Sequence, residues 1–177
     1  MSLQRIVVVG TTGSGKTTLA RQLSERLGSP HIELDELNWG PNWTMRPDDV
    51  FRTAVDEATS GDRWVLDGNY SRMRDIVWSR ADTIVWLDYP LWLILWRLWW
   101  RTLRRWHQRE TLWNNNRERL WEHFTSRNSL FLWALMTYKR RKRDYTNLLG
   151  GPEHSHLMAF HFRWPSQTNR WLVGIFQ

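Results

Sequence analysis

The stretch Gly10-Thr11-Thr12-Gly13-Ser14-Gly15-Lys16-Thr17 decides the fold of this chain. It matches in full the pattern Gly-x-x-x-x-Gly-Lys-Ser/Thr of a phosphate-binding P-loop. A β-branched apolar run, Ile6–Val9, precedes it, and residues 16–27 follow it with apolar side chains at helical spacing. Because a strand, a glycine loop and a helix come in this order, the pattern indicates a phosphate site rather than a chance glycine-rich turn.

The residue types of this loop fit the chemistry of a nucleoside triphosphate. Glycines allow the backbone to curl so that successive N–H groups point at phosphate oxygens, beside the positive end of the following helix. Lys16 brings a charge to the β- and γ-phosphates, and the Thr17 hydroxyl can bind Mg²⁺. We therefore expect ATP and Mg²⁺ as cofactors, with these nucleotide-binding residues: Gly10, Gly13, Ser14, Gly15, Lys16, Thr17 and Thr18.

Length and composition predict a single globular domain spanning residues 1–177. Of these 177 residues, 41% are hydrophobic and 24% are charged, as in ordinary globular proteins, although the mean hydropathy is −0.61. The net charge of +7 and the pI near 10.5 favour anionic partners, namely nucleotides, nucleic acid or acidic membrane, without choosing among them. There are 15 Trp, and with no Cys the chain has no disulfide and no thiolate metal site.

Targeting signals are not visible in the sequence. Only four apolar residues lie between Arg5 and Gly10, which is too few for a signal-peptide core. The most membrane-like stretch, residues 91–100, is about half the ~20 residues of a spanning helix and contains Arg97. We expect a cytoplasmic protein without a transmembrane segment, and the sequence leaves its oligomeric state open.

Short apolar runs alternate with helical segments along the chain. This alternation predicts a three-layer α/β fold with a parallel sheet. The region between the second and third strands, residues 36–62, and a long helical insertion, residues 91–148, interrupt the pattern. The predicted strands are residues 6–9, 31–34, 64–66, 83–87 and 157–162, and the predicted helices include 16–27, 47–60 and 167–176.

Carboxylates follow three of the predicted strands. Asp67 and Asp88 each end an apolar run, where an acid could hold magnesium and its water at the carboxyl edge of the sheet. Either could instead cap the following turn, which is the interpretation we favour for Asp88. Asp35 could orient or deprotonate an acceptor hydroxyl, or it could be the N-cap of a helix.

The helical insertion carries an aromatic stripe beside a row of arginines. The stripe predicts a helix anchored on its apolar face. The guanidinium groups on the neighbouring face would then be directed at a triphosphate, as in a kinase lid. The alternatives are a stripe that is simply core and an arginine row that is solvated or binds an anionic surface. The stripe is Trp92, Trp96, Trp99, Leu103 and Trp106, and the row is Arg97, Arg101, Arg104 and Arg105.

A basic run, Lys139–Arg143, leaves a second class of function open. It could bind nucleic-acid phosphates, or it could be the solvated C-terminal end of a helix, which we favour. The alternative to an enzyme is thus a nucleotide-dependent nucleic-acid-binding or regulatory protein. A signalling GTPase is set aside because the chain has no Asn-Lys-x-Asp motif.

Taken in order, these motifs resemble a family of small P-loop kinase-like proteins related to adenylate and shikimate kinases. Its members are often labelled adenylate kinase or DNA topology modulation protein. The likeness spans nearly the whole chain, although only the P-loop is specific by itself. It rests on Gly10–Thr18, Leu34-Asp35 with Trp39 and Trp43, residues 64–71 and 86–90, Arg97, Arg101, Arg105 and residues 116–118.

The resemblance implies a kinase-type P-loop fold with strand order 2-3-1-4-5. It assigns Asp67 to the magnesium site, Asp35 to the acceptor hydroxyl, and residues 36–62 to acceptor binding. Arg97, Arg101 and Arg105 resemble lid arginines. The residues expected to bind a small acceptor, which is a nucleoside, a nucleotide or another hydroxyl or phosphate compound, are Asp35, Trp39, Asn69, Tyr70 and Arg72.

One departure from adenylate kinases concerns the acceptor. After Asp67-Gly68 this chain has Asn69-Tyr70-Ser71-Arg72, where adenylate kinases have Phe-Pro-Arg. The arginine that grips a nucleoside monophosphate is therefore missing or displaced to Arg72. AMP is consequently not the expected acceptor.

Overall fold

The computed structural model describes residues 3–108 and 130–176. Within these ranges the strands form a five-stranded parallel sheet in the order β2-β3-β1-β4-β5, which confirms the predicted fold and strand order. β1, which ends in the P-loop, is the central strand, so its neighbours β3 and β4 flank the loop. The strands are β1 Arg5–Gly10, β2 His31–Glu33, β3 Trp64–Asp67, β4 Thr83–Leu87 and β5 Met158–Phe162.

Helices connect the strands and cover the sheet. The structure adds two short helices that the periodicity did not reveal, because five- and seven-residue segments are too short to show a helical repeat. In the described part of the chain, no helix is long and apolar enough to cross a lipid bilayer. The helices are α1 Lys16–Leu27, α2 Leu34–Asn38, α3 Asp48–Ala58, α4 Arg74–Arg80, α5 Leu91–Gln108, α6 Leu130–Gly150 and α7 Pro165–Gly174.

Successive side chains of β1 point to opposite faces of the sheet and enter two different hydrophobic cores. Helices cover both cores, so the fold has three layers. Val7 and Val9 join a buried cluster that contains residues of α3 and α4, among them Phe51. Ile6 and Val8 point to the other side, into a cluster that contains residues of α1, α5 and α7. A strand buried on both faces must be apolar at every position, which is why the run at residues 6–9 predicted it so well.

The described tryptophans of the α5 stripe, Trp92, Trp96 and Trp99, do not anchor this helix, and that expectation was wrong. The side chain of Trp106 lies outside the described residues. Ile94 and Leu98 are fully buried, whereas Trp92 and Trp96 are 63% and 57% exposed. The P-loop explains the choice, because a Cβ added to Gly13 would lie 2.6 Å from Leu98 Cγ. The helix thus packs against the glycine loop at close range through aliphatic side chains, an approach that bulkier indole rings would prevent.

Candidate active site

The P-loop curls around the N-terminus of α1, as its glycines predict. Gly13 and Gly15 have φ values of 81° and 96°, a left-handed conformation that side-chain-bearing residues rarely adopt. Ser14 N donates to Thr11 O at 3.0 Å, and Lys16 Nζ reaches back to the same carbonyl at 3.5 Å. The loop therefore presents backbone N–H groups and an ammonium group on one concave surface.

Asn69 holds the first glycine of the loop. Gly10 N donates to Asn69 Oδ1 at 3.1 Å, and Asn69 Nδ2 donates to Gly10 O at 2.6 Å. Tyr145 of α6 donates its hydroxyl to the same Oδ1 at 3.0 Å. Both amide atoms of Asn69 are thus engaged by the loop and α6, and its expected contact with the acceptor stays a prediction. Sequence patterns gave no signal for Tyr145.

Lys16 lies among charges of both signs. Burial lowers the pKa of its ammonium from 10.5 to about 8, and it is the largest of the effects on this group. Asp67 and Asp35 raise the pKa, whereas Arg141 and Arg101 lower it. Elements far apart in sequence therefore bring two carboxylates and two guanidinium groups within electrostatic reach of the P-loop lysine. A polyanion with a bound divalent cation is the kind of ligand that such a mixed environment accommodates.

Asp67 and Thr17, the two residues predicted to hold magnesium, are in direct contact. The Thr17 hydroxyl donates to Asp67 Oδ2 at 2.5 Å, and Asp67 is only 5% exposed. Mg²⁺ prefers oxygen ligands, and it usually takes one or two from protein with the rest from water and phosphate. A hydroxyl and a carboxylate side by side, next to Lys16, fit that requirement. His31 lies behind them, with Nε2 3.4 Å from Asp67 Oδ1.

Asp88, the other candidate carboxylate, has different partners. Lys142 Nζ lies 3.2 Å and His161 Nε2 3.0 Å from its Oδ2, and the residue is only 6% exposed. The His161 ring in turn stacks on Trp86 with ring centroids 4.0 Å apart. Asp88 is therefore an internal counter-charge that ties α6 to the sheet, rather than the turn cap we favoured.

Asp35 is exposed and lies in the first turn of α2. The structure places the N-cap of that helix at Glu33, so Asp35 is not its cap. Instead, Tyr70 OH donates to Asp35 Oδ1 at 2.6 Å, and burial together with this carboxylate raises the pKa of Tyr70 well above its usual range. One carboxylate oxygen is thus fixed by Tyr70, while the side chain remains accessible to a small molecule.

Arg72 and Trp39, two further residues predicted to bind the acceptor, make contacts with other side chains of the protein. Arg72 pairs with Asp48, donates to Asn38 Oδ1 at 2.6 Å, and lies 4.9 Å from the ring centroid of Phe51. The Trp39 ring meets Trp43 edge-to-face, with centroids 5.7 Å apart. Arg72 therefore braces α3 against the segment after β3, and direct contact of either residue with an acceptor stays a prediction.

Of the four arginines predicted to form the row on α5, Arg97 contacts the P-loop and Arg101 lies within electrostatic reach of Lys16. Arg97 Nη1 donates to Ser14 O at 3.0 Å and its guanidinium lies 5.1 Å from the ring centroid of Tyr89. The positive charge of Arg101 contributes to the lowered pKa of Lys16. Arg104 is exposed, and the side chain of Arg105 lies outside the described residues. Phosphate binding by Arg97, Arg101 and Arg105 stays a prediction.

The basic run Lys139–Arg143 is not the end of a helix, so our preferred interpretation of it was wrong. It lies in the middle of α6, where consecutive side chains point about 100° apart. Lys139, Arg140 and Arg143 are exposed, Lys142 pairs with Asp88, and Arg141 turns inward. Arg141 Nη1 is buried without a hydrogen-bond partner among the described residues, and burial lowers its pKa. Helical phase, applied to the run, was the signal that could have found Arg141.

Comparison with known proteins gives two partial sequence matches. A Thermococcus onnurineus protein named "Putative adenylate kinase" is 40% identical over 73 residues, which is 37% of this chain and 41% of that protein. The uncharacterized protein YqaC of Bacillus subtilis is 30% identical over 89 residues, 49% of this chain and 50% of that one. The chain thus spans about half the length of the curated relatives it matches. No protein-family model matches the chain.

Comparison of structures covers nearly all of the chain. Shikimate kinase from Acinetobacter baumannii, solved in complex with shikimate, has a TM-score of 0.60 at 22% identity, over 99% of this chain and 92% of that one. A gluconokinase from Sinorhizobium meliloti has a TM-score of 0.53 at 18% identity, over 98% and 96%. These TM-scores, over nearly the full length of each chain, establish a shared fold. Together with the sequence match to an adenylate kinase-like protein, they confirm the resemblance to small P-loop kinase-like proteins.

Proposed function

We propose that this protein is a kinase that transfers the γ-phosphoryl group of ATP to a small acceptor carrying a hydroxyl or phosphate group. One observation carries the proposal, namely the set of charges that converge on Lys16. Asp67 with Thr17, Asp35, Arg101 and Arg141 come from separate elements, and all four charged groups lie within electrostatic reach of Lys16. Asp35 lies beyond the triphosphate-binding residues, at the carboxyl edge of the sheet. Nucleotide binding alone would not require a carboxylate there.

The proposed reaction assigns a task to each of these groups. For a hydroxyl acceptor, its oxygen forms a bond to the γ-phosphorus while the bond to the β–γ bridging oxygen breaks, and ADP leaves. Asp35 orients this hydroxyl and accepts its proton, and Tyr70 fixes the carboxylate through the 2.6 Å hydrogen bond. Lys16, Arg101 and Arg141 stabilise the negative charge on the transferring group.

Magnesium would be held beside the phosphates by Thr17 and Asp67. When bound, the ion neutralises charge on the β- and γ-phosphate oxygens. The role of the protein is to keep the two oxygen ligands together, which the 2.5 Å hydrogen bond between them already does. His31, 3.4 Å from the other Asp67 oxygen, restricts how that carboxylate turns.

The acceptor would bind between α2 and the segment after β3. Asp35 and Tyr70 mark its reacting end, and Trp39 lies one turn further along, at the end of α2. Arg72 is engaged by Asp48 and Asn38, which supports an acceptor other than a nucleoside monophosphate gripped by that arginine.

The test is acceptor-dependent formation of ADP by the purified full chain. ATP and Mg²⁺ would be incubated with a panel of nucleosides, nucleotides, sugars and small hydroxy acids, and ADP and the phosphorylated product would both be measured. We expect at least one acceptor to raise ADP formation well above the acceptor-free rate.

Two variants make this test decisive. Lys16→Ala should abolish the acceptor-dependent rate, whereas Lys139→Ala removes an exposed charge from α6 and should leave it unchanged. If no acceptor in the panel raises ADP formation above the Lys16→Ala background, the kinase proposal is refuted for those compound classes.

A further inference from the structure

The outer face of α5 exposes large aromatic side chains that have no role in the proposed reaction. Trp92, Trp96 and Trp100 are 63%, 57% and 55% exposed, and Trp164, just before α7, is 46% exposed. The ring centroids of Trp92 and Trp164 are 6.3 Å apart, and those of Trp96 and Trp100 are 6.2 Å apart. We call these four residues the tryptophan face. Such a group of exposed indoles on a folded protein marks an interaction surface.

The tryptophan face is a consequence of helical phase and not of poor packing. Trp92, Trp96 and Trp100 follow each other at steps of four, so they share one side of α5, roughly opposite the fully buried Ile94 and Leu98. α5 therefore has two apolar stripes, of which the aliphatic one is used in the core. The neighbouring helix α6 also exposes apolar side chains, including Met136 at 77% and Trp133 at 49%.

The two described helices that border the tryptophan face carry only positive charges. α5 and α7 contain no acidic residue. Arg104 lies one turn beyond Trp100, Arg163 precedes Trp164 and Arg170 lies on α7, and all three are exposed. An anionic partner complements such a surface, whereas a second copy of this chain, with its net charge of +7, would bring like charges together.

Ring geometry distinguishes a membrane from a nucleic acid. Bases of a single strand stack on a series of accessible aromatic faces beside a cationic groove. Here Trp96 and Trp100 meet edge-to-face at 70°, and Trp92 and Trp164 are tilted by 55°, so they do not form a common stacking platform. Exposed indoles flanked by arginines on a helix without acidic residues are instead typical of protein surfaces that bind at the lipid headgroup level.

We propose that the tryptophan face binds peripherally to membranes rich in anionic lipid. The indoles enter the headgroup region, and Arg104 and Arg163 contact lipid phosphates and acidic headgroups. Arg97 remains directed at the P-loop, where it donates to Ser14 O, whereas Trp92 and Trp96 are exposed, so the proposed inserting indoles are separate from the arginine that contacts the loop. The proposal is independent of which acceptor the site takes.

Vesicle binding by the purified full chain tests this proposal. Co-sedimentation would compare vesicles of phosphatidylcholine alone with vesicles that also contain phosphatidylglycerol. We expect strong preference for the anionic vesicles, loss of binding as salt is raised, and quenching of tryptophan emission by lipids brominated near the headgroup.

Matched variants locate the surface. W92Q/W96Q should lower partition into anionic vesicles by about tenfold or more, because two inserted indoles are lost. M45Q/V50Q changes two apolar residues with 64% and 46% exposure near and on α3, on the other side of the sheet, and should have no effect. R104Q/R163Q should weaken binding mainly at low salt, and circular dichroism would check that each variant is folded.

Several outcomes would overturn the proposal. They are equal binding to neutral and anionic vesicles, no binding to either, or a W92Q/W96Q variant that binds like the parent protein. Concentration-dependent dimerisation lost in W92Q/W96Q would assign the face to a second copy. Binding of a single-stranded oligonucleotide lost in that variant, without vesicle binding, would assign it to nucleic acid.

Discussion

Lys16 is the single residue on which the proposed chemistry depends most, and its positive charge is unfavourable until a ligand binds. Burial lowers the pKa of Lys16 to about 8, against the opposing effects of Asp67 and Asp35. Bound phosphate oxygens would favour the charged ammonium and raise this pKa again. Nucleotide binding and protonation of Lys16 should therefore be linked.

This linkage predicts the pH dependence of ATP binding. Below pH 8 the free protein already carries the proton, so affinity should vary little through Lys16. Above about pH 8 the free protein loses the proton while the complex keeps it, so affinity should fall by up to about tenfold per pH unit. Calorimetric titration in buffers of different ionisation enthalpy would show proton uptake there.

The matched control for this prediction is Lys16→Arg. A guanidinium group stays charged throughout this range, so the variant should bind more weakly but without the fall above pH 8. Affinity of the parent protein that is constant up to pH 10 would contradict the account of Lys16.

The two strand-end carboxylates give a second prediction at this scale. Asp67→Asn should lower activity or apparent Mg²⁺ affinity by about 10–100-fold, because the neutral amide is a poor partner for the ion and for Thr17. Asp88→Asn should leave the Mg²⁺ concentration for half-maximal activity unchanged, because Asp88 is engaged by Lys142 and His161. The reverse order of effects would exchange the two assignments.

Among the secondary-structure elements, helices α5 and α6 matter most for the site, because of how they pack near the P-loop. The sequence predicted that an arginine-bearing helix follows β4, and Arg97 beside Ser14 agrees with this. It did not predict which apolar stripe of α5 is buried, because both stripes have helical spacing. That choice depends on the size of side chain that fits against Gly13, which is a tertiary property.

The contact between the loop and α5 predicts the effect of a methyl group. Gly13→Ala would place Cβ 2.6 Å from Leu98 Cγ at a residue with φ 81°, so both a clash and backbone strain are introduced. The free energy of unfolding, measured in urea, should fall by about 1–3 kcal/mol. Gly61→Ala, where no atom lies within 4 Å of the added Cβ, should change it little, and equal effects would contradict the packing described.

Helix α6 predicts that two arginines, two positions apart in one basic run, behave differently. Arg141→Gln should lower kcat/KM by about 10²–10³-fold, because it removes a partly buried cation within electrostatic reach of Lys16. Arg143, whose side chain is 74% exposed, points away from the loop, so Arg143→Gln should have no such effect. Equal losses, or losses that appear only with nucleic acid, would favour a run that acts as one basic patch.

At the scale of the whole molecule, the sequence was informative wherever a local pattern required a unique structure. The buried strands, the P-loop, helix α1 and the strand order implied by family resemblance are all present in the structure. Short elements such as α2 and α4 were missed because they carry too few residues for a periodic signal. The single-domain prediction for residues 1–177 stays a prediction.

The candidate site was less predictable than the fold, for a physical reason. A motif fixes residues that are close in sequence, such as Lys16 and Thr17, and strand ends fix Asp67. Tyr145 and Arg141 reach the site only because α6 packs across the sheet edge, and no local pattern records that packing. The proposed acceptor site has the same property, because the residues assigned to it come from several separate segments.

Transfer of the phosphoryl group can be followed directly with an isotope label. The full chain would be incubated with a small-molecule cell extract, Mg²⁺ and ATP carrying ¹⁸O in its γ-phosphoryl group, and products would be analysed by mass spectrometry. If the protein is a kinase, we expect a labelled phosphorylated compound that forms with the parent protein and the Lys139→Ala variant but not with Lys16→Ala. Label found only in inorganic phosphate, or labelled products that do not depend on Lys16, would contradict the kinase proposal.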